Sequence, residues 1–219
     1  MRDQMPRTLL SLTGLGVFLL LAYGSEFPSN KNGSNRNGSV GTDARATHYV
    51  NSKSGLTGKL EEHYVDFSFD YPNSWKRDPE AGKAGDPNFV SVQKLTSDQI
   101  IAENFAVGYC NGPLALMPQL ADQFNQQFSG QIPEYKKVSE GEVRVAGLDA
   151  YEFRFTGHGS KPKETDYYGR VLLLPSTAGR KGAALIMLAT SDSSDIHSID
   201  DVGEKGGLAT ILKSFKFDD

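Results

Sequence analysis

Hydrophobic and polar residues alternate from residue 64 to 71, with Val65, Phe67, Phe69 and Tyr71 on one side and Asp66, Ser68 and Asp70 on the other. A period of two predicts a half-buried strand, and Pro72, Asn73 and Ser74 end it, with Trp75 at the turn. Runs rich in Val, Leu and aromatics predict further strands at 88–93, 104–109, 137–145, 150–156, 167–174 and 183–190. The period changes over 114–128, where Leu116, Leu120, Phe124 and Phe128 recur every four residues and lay an apolar stripe along a helix. A last helix is predicted over 201–213, with Leu208, Ile211 and Leu212 as its apolar side and 214–217 as a closing strand or tail. Gly147, residues 157–160 and residues 179–182 stand where hairpin turns are needed. Long antiparallel stretches with few helices predict an α+β fold, an antiparallel sheet flanked by helices.

The chain ahead of residue 60 follows neither period. Arg2 and Arg7 precede an uncharged, largely apolar run over 9–23. A bilayer span takes about 20 apolar residues, so this run is short for one and suits the apolar region of an export signal. Ala22 and Gly24 supply small residues for a cut before Ser25. Left uncleaved, the same run tethers the chain to a membrane. Ser25 stands where a lipoprotein signal carries its Cys, which excludes lipid anchoring by that route. Residues 25–58 are rich in Asn, Gly and Ser and poor in large apolar side chains. Such a segment buries too little to offset the ~1–2 kcal/mol per residue of backbone ordering. The expected organisation is a signal segment at 1–24, a flexible tether at 25–58 and one folded domain at 59–219. Asn32 and Asn37 open Asn-Gly-Ser triplets, which a tract of this composition produces by itself.

Charge and cysteine count remove several function classes. The 219 residues hold 23 Lys and Arg against 27 Asp and Glu, a net charge of −4. That balance argues against a general nucleic-acid binder, which carries a basic face. A single cysteine, Cys110, excludes an internal disulfide and any CxxC metal or redox motif. Nucleophilic use of Cys110 requires a neighbouring base and a lowered pKa, and His63 and His158 are the candidate bases. The competing reading of Cys110 is an inert, buried thiol. No G-x-S-x-G elbow occurs, and Ser160 sits in a turn-like tract. Asp192, Asp195, Asp200 and Asp201 are the candidate metal ligands, since hard cations such as calcium collect carboxylate oxygens along a loop. EF-hand spacing is absent there, and turn and helix-cap roles compete for the same side chains. Arg180 with Lys181, and Lys161 with Lys163, are basic hairpin tips, read as solvated or as partner contacts. No small-molecule substrate is indicated.

Three stretches carry a family resemblance. Phe67-Ser68-Phe69-Asp70-Tyr71-Pro72-Asn73-Ser74-Trp75 resembles the F-x-x-x-Y-P-x-x-W opening of PsbP-type domains. The run from Glu142 to Phe153, a strand, a Gly turn at Gly147 and a strand opening on an aromatic, is similar to a later part of that family. The Ser214-Phe215 end, following a helix, is similar to its terminus. The resemblance covers about residues 60–217 and implies an α/β/α sandwich around an antiparallel sheet, shared with Mog-type Ran-binding proteins. It also implies a non-enzymatic, exported protein that is periplasmic, extracellular or thylakoid-lumenal. The plant member is an extrinsic subunit that supports calcium and chloride retention at the oxygen-evolving centre of photosystem II. Here Asp66 replaces the Gly usual before the first Phe, and an Asn/Gly/Ser tract replaces a long basic arm. No family metal ligand falls on a specific residue, so calcium enters by resemblance alone and no cofactor is otherwise expected. The expected function is that of a non-catalytic exported accessory protein binding a protein partner at a membrane surface. The alternative is an exported enzyme using Cys110 or His158.

Overall fold

The computed structural model describes residues 45–159 and 164–218. In chain order the elements are β1 (Ala46–Val50), α1 (Lys59–Glu62), β2 (Phe67–Pro72), β3 (Lys76–Arg77), β4 (Asn88–Leu95), β5 (Ile101–Cys110), α2 (Met117–Gln131), β6 (Lys136–Val145), β7 (Leu148–Gly159), β8 (Thr165–Leu174), β9 (Gly182–Thr190), α3 (Gly206–Ser214) and β10 (Lys216–Phe217). Short 3-10 turns lie at Leu114–Leu116 and Ile199–Asp201. Seven strands form one antiparallel sheet in the order β3-β4-β5-β9-β8-β7-β6. Every residue of β9 is buried, because this central strand is covered on both faces. Its sequence is accordingly a continuous apolar run and not an alternation.

One face of the sheet carries α2, which buries Met117, Ala121, Phe124 and Phe128 against Phe153, Phe155, Ile186 and Leu188. The expected stripe of Leu116, Leu120, Phe124 and Phe128 is displaced at its start: Leu116 is 46% exposed in the preceding 3-10 turn. A helix turns every 3.6 residues, so a spacing of four drifts off the buried side, and Met117 and Ala121 take the inward positions. The opposite face carries α3 and a second sheet of three strands, β1-β2-β10. The fold is α+β, with a helix on each face of an antiparallel sheet and the small sheet packed beside α3.

The structure corrects three local expectations. Residues 46–50 are not tether: they form β1, antiparallel to β2 from Ala46↔Pro72 to Val50↔Ser68. The tether expectation rested on composition, but Thr47 and Tyr49 are the half-buried positions of an alternating strand that completes one side of β2. Tyr49 lies with its ring centroid 5.2 Å from Phe69 and 6.0 Å from Phe67. The folded part therefore includes residues ahead of the expected boundary at 58, while the expected signal segment and residues 25–44 lie outside the described residues. Gly157 is not in a turn but inside β7. A Cβ there would meet Ile132 Cγ2 at 2.3 Å and the Pro133 carbonyl at 2.9 Å, so the glycine admits the chain leaving α2. Ser160, Lys161 and Lys163 lie outside the described residues. The last helix begins at Gly206 and not at Asp201, because Gly203 and Gly206 hold φ of +78° and +60° and break the helical run.

A chain shortened to begin at Leu60 is expected to melt well below the full chain. It loses β1 and the Tyr49 ring contacts, and each aromatic pair adds about 0.5–1.5 kcal/mol beyond its area. Equal melting temperatures would show that β1 adds nothing to the small sheet.

Candidate functional site

The residues singled out for chemistry do not assemble. Cys110 closes β5 at 1% exposure, with its Sγ 3.4 Å from Met117 Sδ. Burial pushes its thiol up to about 12, the reverse of what a nucleophile needs. His63 stands near this strand end, but on the wrong side. It stacks on Tyr109 with centroids 4.7 Å apart, and Tyr109 belongs to the α3 face while Cys110 packs under α2. Successive strand residues point to opposite faces, so this neighbour in sequence is not a neighbour in chemistry.

His158 lies at the far end of the sheet. The register places Cys110 beside Gly182 and Tyr167 beside Thr190, with His158 opposite Asp166, so most of the length of β9 separates the two. At ~3.3 Å per residue that is on the order of 25 Å. His158 Nδ1 is 2.7 Å from Asp166 Oδ1, and this hydrogen bond raises its pKa. Native protein is expected to leave Cys110 unreacted toward a thiol reagent that titrates it fully in denaturant. Rapid labelling of the folded chain would show an access that the packing around Met117 does not provide.

The four aspartates are engaged separately. Asp195 Oδ2 sits 2.6 Å from Lys94 Nζ. Asp201 pairs with Lys205 at 2.7 Å and accepts the His197 backbone N–H at 3.0 Å. The Lys205 contact, then the His197 one, hold the Asp201 carboxyl at about 2. Asp201 thus braces its own loop, and neither it nor Asp200, the two aspartates the sequence offered for that role, caps α3. Asp200 Oδ1 is 3.9 Å from Arg154 Nη1, and the Asp192 N–H donates to Thr190 Oγ1 at 3.3 Å. The turn at 192–195 is made by Ser193, whose Oγ accepts the backbone N–H groups of Asp195 and Ile196. Among the described residues no three His, Cys, Asp or Glu side chains are grouped to hold a metal ion. The basic tip at 180–181 is likewise not simply solvated. Arg180 lies 3.5 Å over the Phe217 ring, and Lys181 Nζ donates to the Glu62 carbonyl.

Sequence reasoning missed the concave feature at the Cys110 end of the sandwich. A cleft of about 230 Å³ is lined by residues 57–60 at the chain entering α1, residues 84–87 in the loop ahead of β4, and Tyr109 of β5. Gly58 and Gly85, at φ of +59° and +94°, bend the two chain segments that line it. The Asp86 carboxylate accepts the Asn88 N–H through Oδ1 at 2.6 Å, and burial, opposed by the Asn88 contacts and helped by Asp78 and Glu80, raises its pKa. His63 backs Tyr109. Its Nδ1 lies 3.1 Å from Asn111 Nδ2, and burial followed by the Lys181 charge lowers its pKa, so the neutral ring accepts the amide N–H. Lys59, Asp86 and Tyr109 are too far apart in the chain for any spacing motif to link them.

No protein-family model matches the chain, and no curated protein matches it. Several solved structures are similar to it in shape, among them the following two. LpqN of Mycobacterium tuberculosis, a protein involved in cell envelope biogenesis, is 10% identical, with a TM-score of 0.48 over 81% of this chain and 94% of that one. Cyanobacterial PsbP (CyanoP) from Synechocystis sp. PCC 6803 is 16% identical, with a TM-score of 0.48 over 84% of this chain and 98% of that one.

Proposed function

We propose that this protein is a non-catalytic, exported accessory protein that works by binding a protein partner at a membrane surface. The observation that carries the reading is the separation of the two residues an enzyme would use. Cys110 is sealed under α2 beside Met117, and His158 stands on the other face near the opposite end of the sheet, committed to Asp166. The basic start and apolar run over 9–23 support export, and the stretches at 67–75, 142–153 and 211–217 support a PsbP-like ancestry. Within that ancestry an extrinsic role at a photosystem is the first partnership to test, by asking whether the protein co-purifies with photosystem II where the host has one.

The deciding experiment is genetic. The gene is deleted in the native host and replaced by one encoding Cys110→Ala together with His158→Ala. Rescue equal to wild type is the expected result, with the protein recovered in the extracytoplasmic or lumenal fraction on cell fractionation. A folded, exported double variant that fails to rescue overturns the reading in favour of an enzyme.

A further inference from the structure

We infer that the open edge of β6 is a dimer interface, on which a second copy of this chain pairs antiparallel about a two-fold axis at Val143. β6 ends the seven-stranded order and pairs only with β7, while the opposite end of that sheet is β3, two residues long. A strand at the end of a sheet presents one row of backbone N–H and C=O groups without strand partners. A register shift between Lys137 and Ser139 interrupts the first part of β6, and from Glu140 to Val145 the pairing with β7 is regular. Along that stretch Gly141, Val143 and Val145 are half-buried, and Glu140, Glu142 and Arg144 are exposed. Val143 and Val145 pack against the core on the α3 side, and nothing lies within 4 Å of where a Cβ on Gly141 would stand.

Backbone geometry and charge together select the axis. Ala146 and Gly147, at φ of +51° and +80°, make a two-residue turn between the paired Val145 and Leu148. Residues flanking such a turn exchange backbone hydrogen bonds, and bonded and non-bonded pairs alternate from there. Val145, Val143 and Gly141 therefore direct their N–H and C=O groups at β7, and Arg144, Glu142 and Glu140 direct theirs outward. A second copy must set its own outward residues against these. An axis at Glu142 opposes two carboxylates, one at Arg144 opposes two guanidiniums, and one at Gly141 opposes Glu140 to Glu142 twice. An axis at Val143 opposes no like charges: Glu142 faces the partner's Arg144 on both sides of it, and Val145 faces the open space at Gly141. Opposite charges across a ladder stabilise it, and like charges destabilise it. Both groups are available. Among the described residues Glu142 enters no ion pair, and Arg144 has only an exposed 4.0 Å contact with Asp149. The dimer is independent of the accessory role proposed above, whose test turns on Cys110 and His158.

Sedimentation of the full chain tests the interface. A monomer–dimer equilibrium is expected with a Kd between about 1 µM and about 1 mM, the weak class that five paired residues a side allow. Glu142→Arg and Arg144→Glu each set like charges opposite one another twice, at exposed positions that the fold does not use, and each is expected to weaken association about tenfold or more. Mixed in equal amounts, the two single variants should associate with each other as tightly as wild type, because every opposed pair is then of opposite sign. Val143→Cys stands on the axis, where paired Cα atoms lie about 4.5 Å apart, and oxidised glutathione should couple it into a covalent dimer. The proposal is overturned by a chain that stays monomeric to about 1 mM, which leaves the edge to a strand of another protein. It is equally overturned by association that either single variant leaves unweakened, or by single variants that do not complement each other when mixed.

Discussion

Phe69→Ala is expected to lower stability by about 3–5 kcal/mol, the range for removing a fully buried phenylalanine ring. Phe69 is fully buried, and its ring lies 5.1 Å from Phe105, 5.2 Å from Tyr49, 6.1 Å from Tyr71 and 6.3 Å from Phe67. It therefore joins the small sheet, through Tyr49 and Phe67, to the large one, through Phe105. Loss of the ring leaves a cavity where the two sheets meet, and neither can collapse into it without breaking its own ladder. For a domain whose whole stability is typically ~5–15 kcal/mol, the loss amounts to a melting temperature lower by roughly 10 °C or more. Thermal unfolding measured by circular dichroism checks it. A near-wild-type melt would place the small sheet's packing elsewhere.

Lys94→Met is expected to cost a similar amount, by a different route. Glu103 has no exposed surface, and its Oε1 accepts from Lys94 Nζ at 2.9 Å and from Ser193 Oγ at 2.8 Å, while Oε2 has no hydrogen-bond partner. Lys94 also donates to Asp195 at 2.6 Å and to Ser194 Oγ at 2.9 Å. Burial works against this ammonium, and the hydrogen bonds to Asp195 and Glu103 more than offset it, so its pKa is raised. A raised lysine pKa means that the stabilisation is fully present below the unfolded pKa of about 10.4 and fades only as pH rises through the folded value. Removing the lysine strands a buried carboxylate, a change that costs about 3–5 kcal/mol. Adding Glu103→Leu to Lys94→Met should recover most of that loss, since a buried pair replaced by apolar groups is often neutral. Denaturant unfolding of the single and double variants decides it. A double variant no more stable than Lys94→Met would mean that the lysine acts through Asp195 and the loop at 193–195, and not through Glu103.

Strand identity was legible because a period of two needs only local information. The alternation reappears from Phe67 to Tyr71 in β2, with Phe67 and Phe69 fully buried and Tyr71 at 8% exposure, while Val65 precedes the strand and Ser68, on the expected polar face, is buried. The apolar run over 183–190 falls within β9 in the same way. Helix limits were less legible. The apolar spacing of Leu208, Ile211 and Leu212 was correct, but the start of α3 depends on backbone angles at Gly203 and Gly206 that serve contacts elsewhere. The Gly207 position shows the same dependence: a Cβ there would lie 2.5 Å from the Trp75 ring, so glycine lets α3 settle on that indole.

What the sequence by itself determined is the α+β class, most of the strands, the aromatic core of the small sheet and the absence of disulfide or CxxC chemistry. These follow from periodicity and composition, which act over a few neighbouring residues. Only the tertiary structure decided that residues 46–50 are a strand, since Tyr49 gains its place from Phe67 and Phe69 and not from its own neighbours. It likewise decided that Asp195 belongs to Lys94 and Asp201 to Lys205, where the sequence offered one acidic run. The cleft at Lys59, Asp86 and Tyr109 is of the same kind. Segments that are distant in the chain line it together because the fold and two glycine bends bring them there, and no local pattern encodes that.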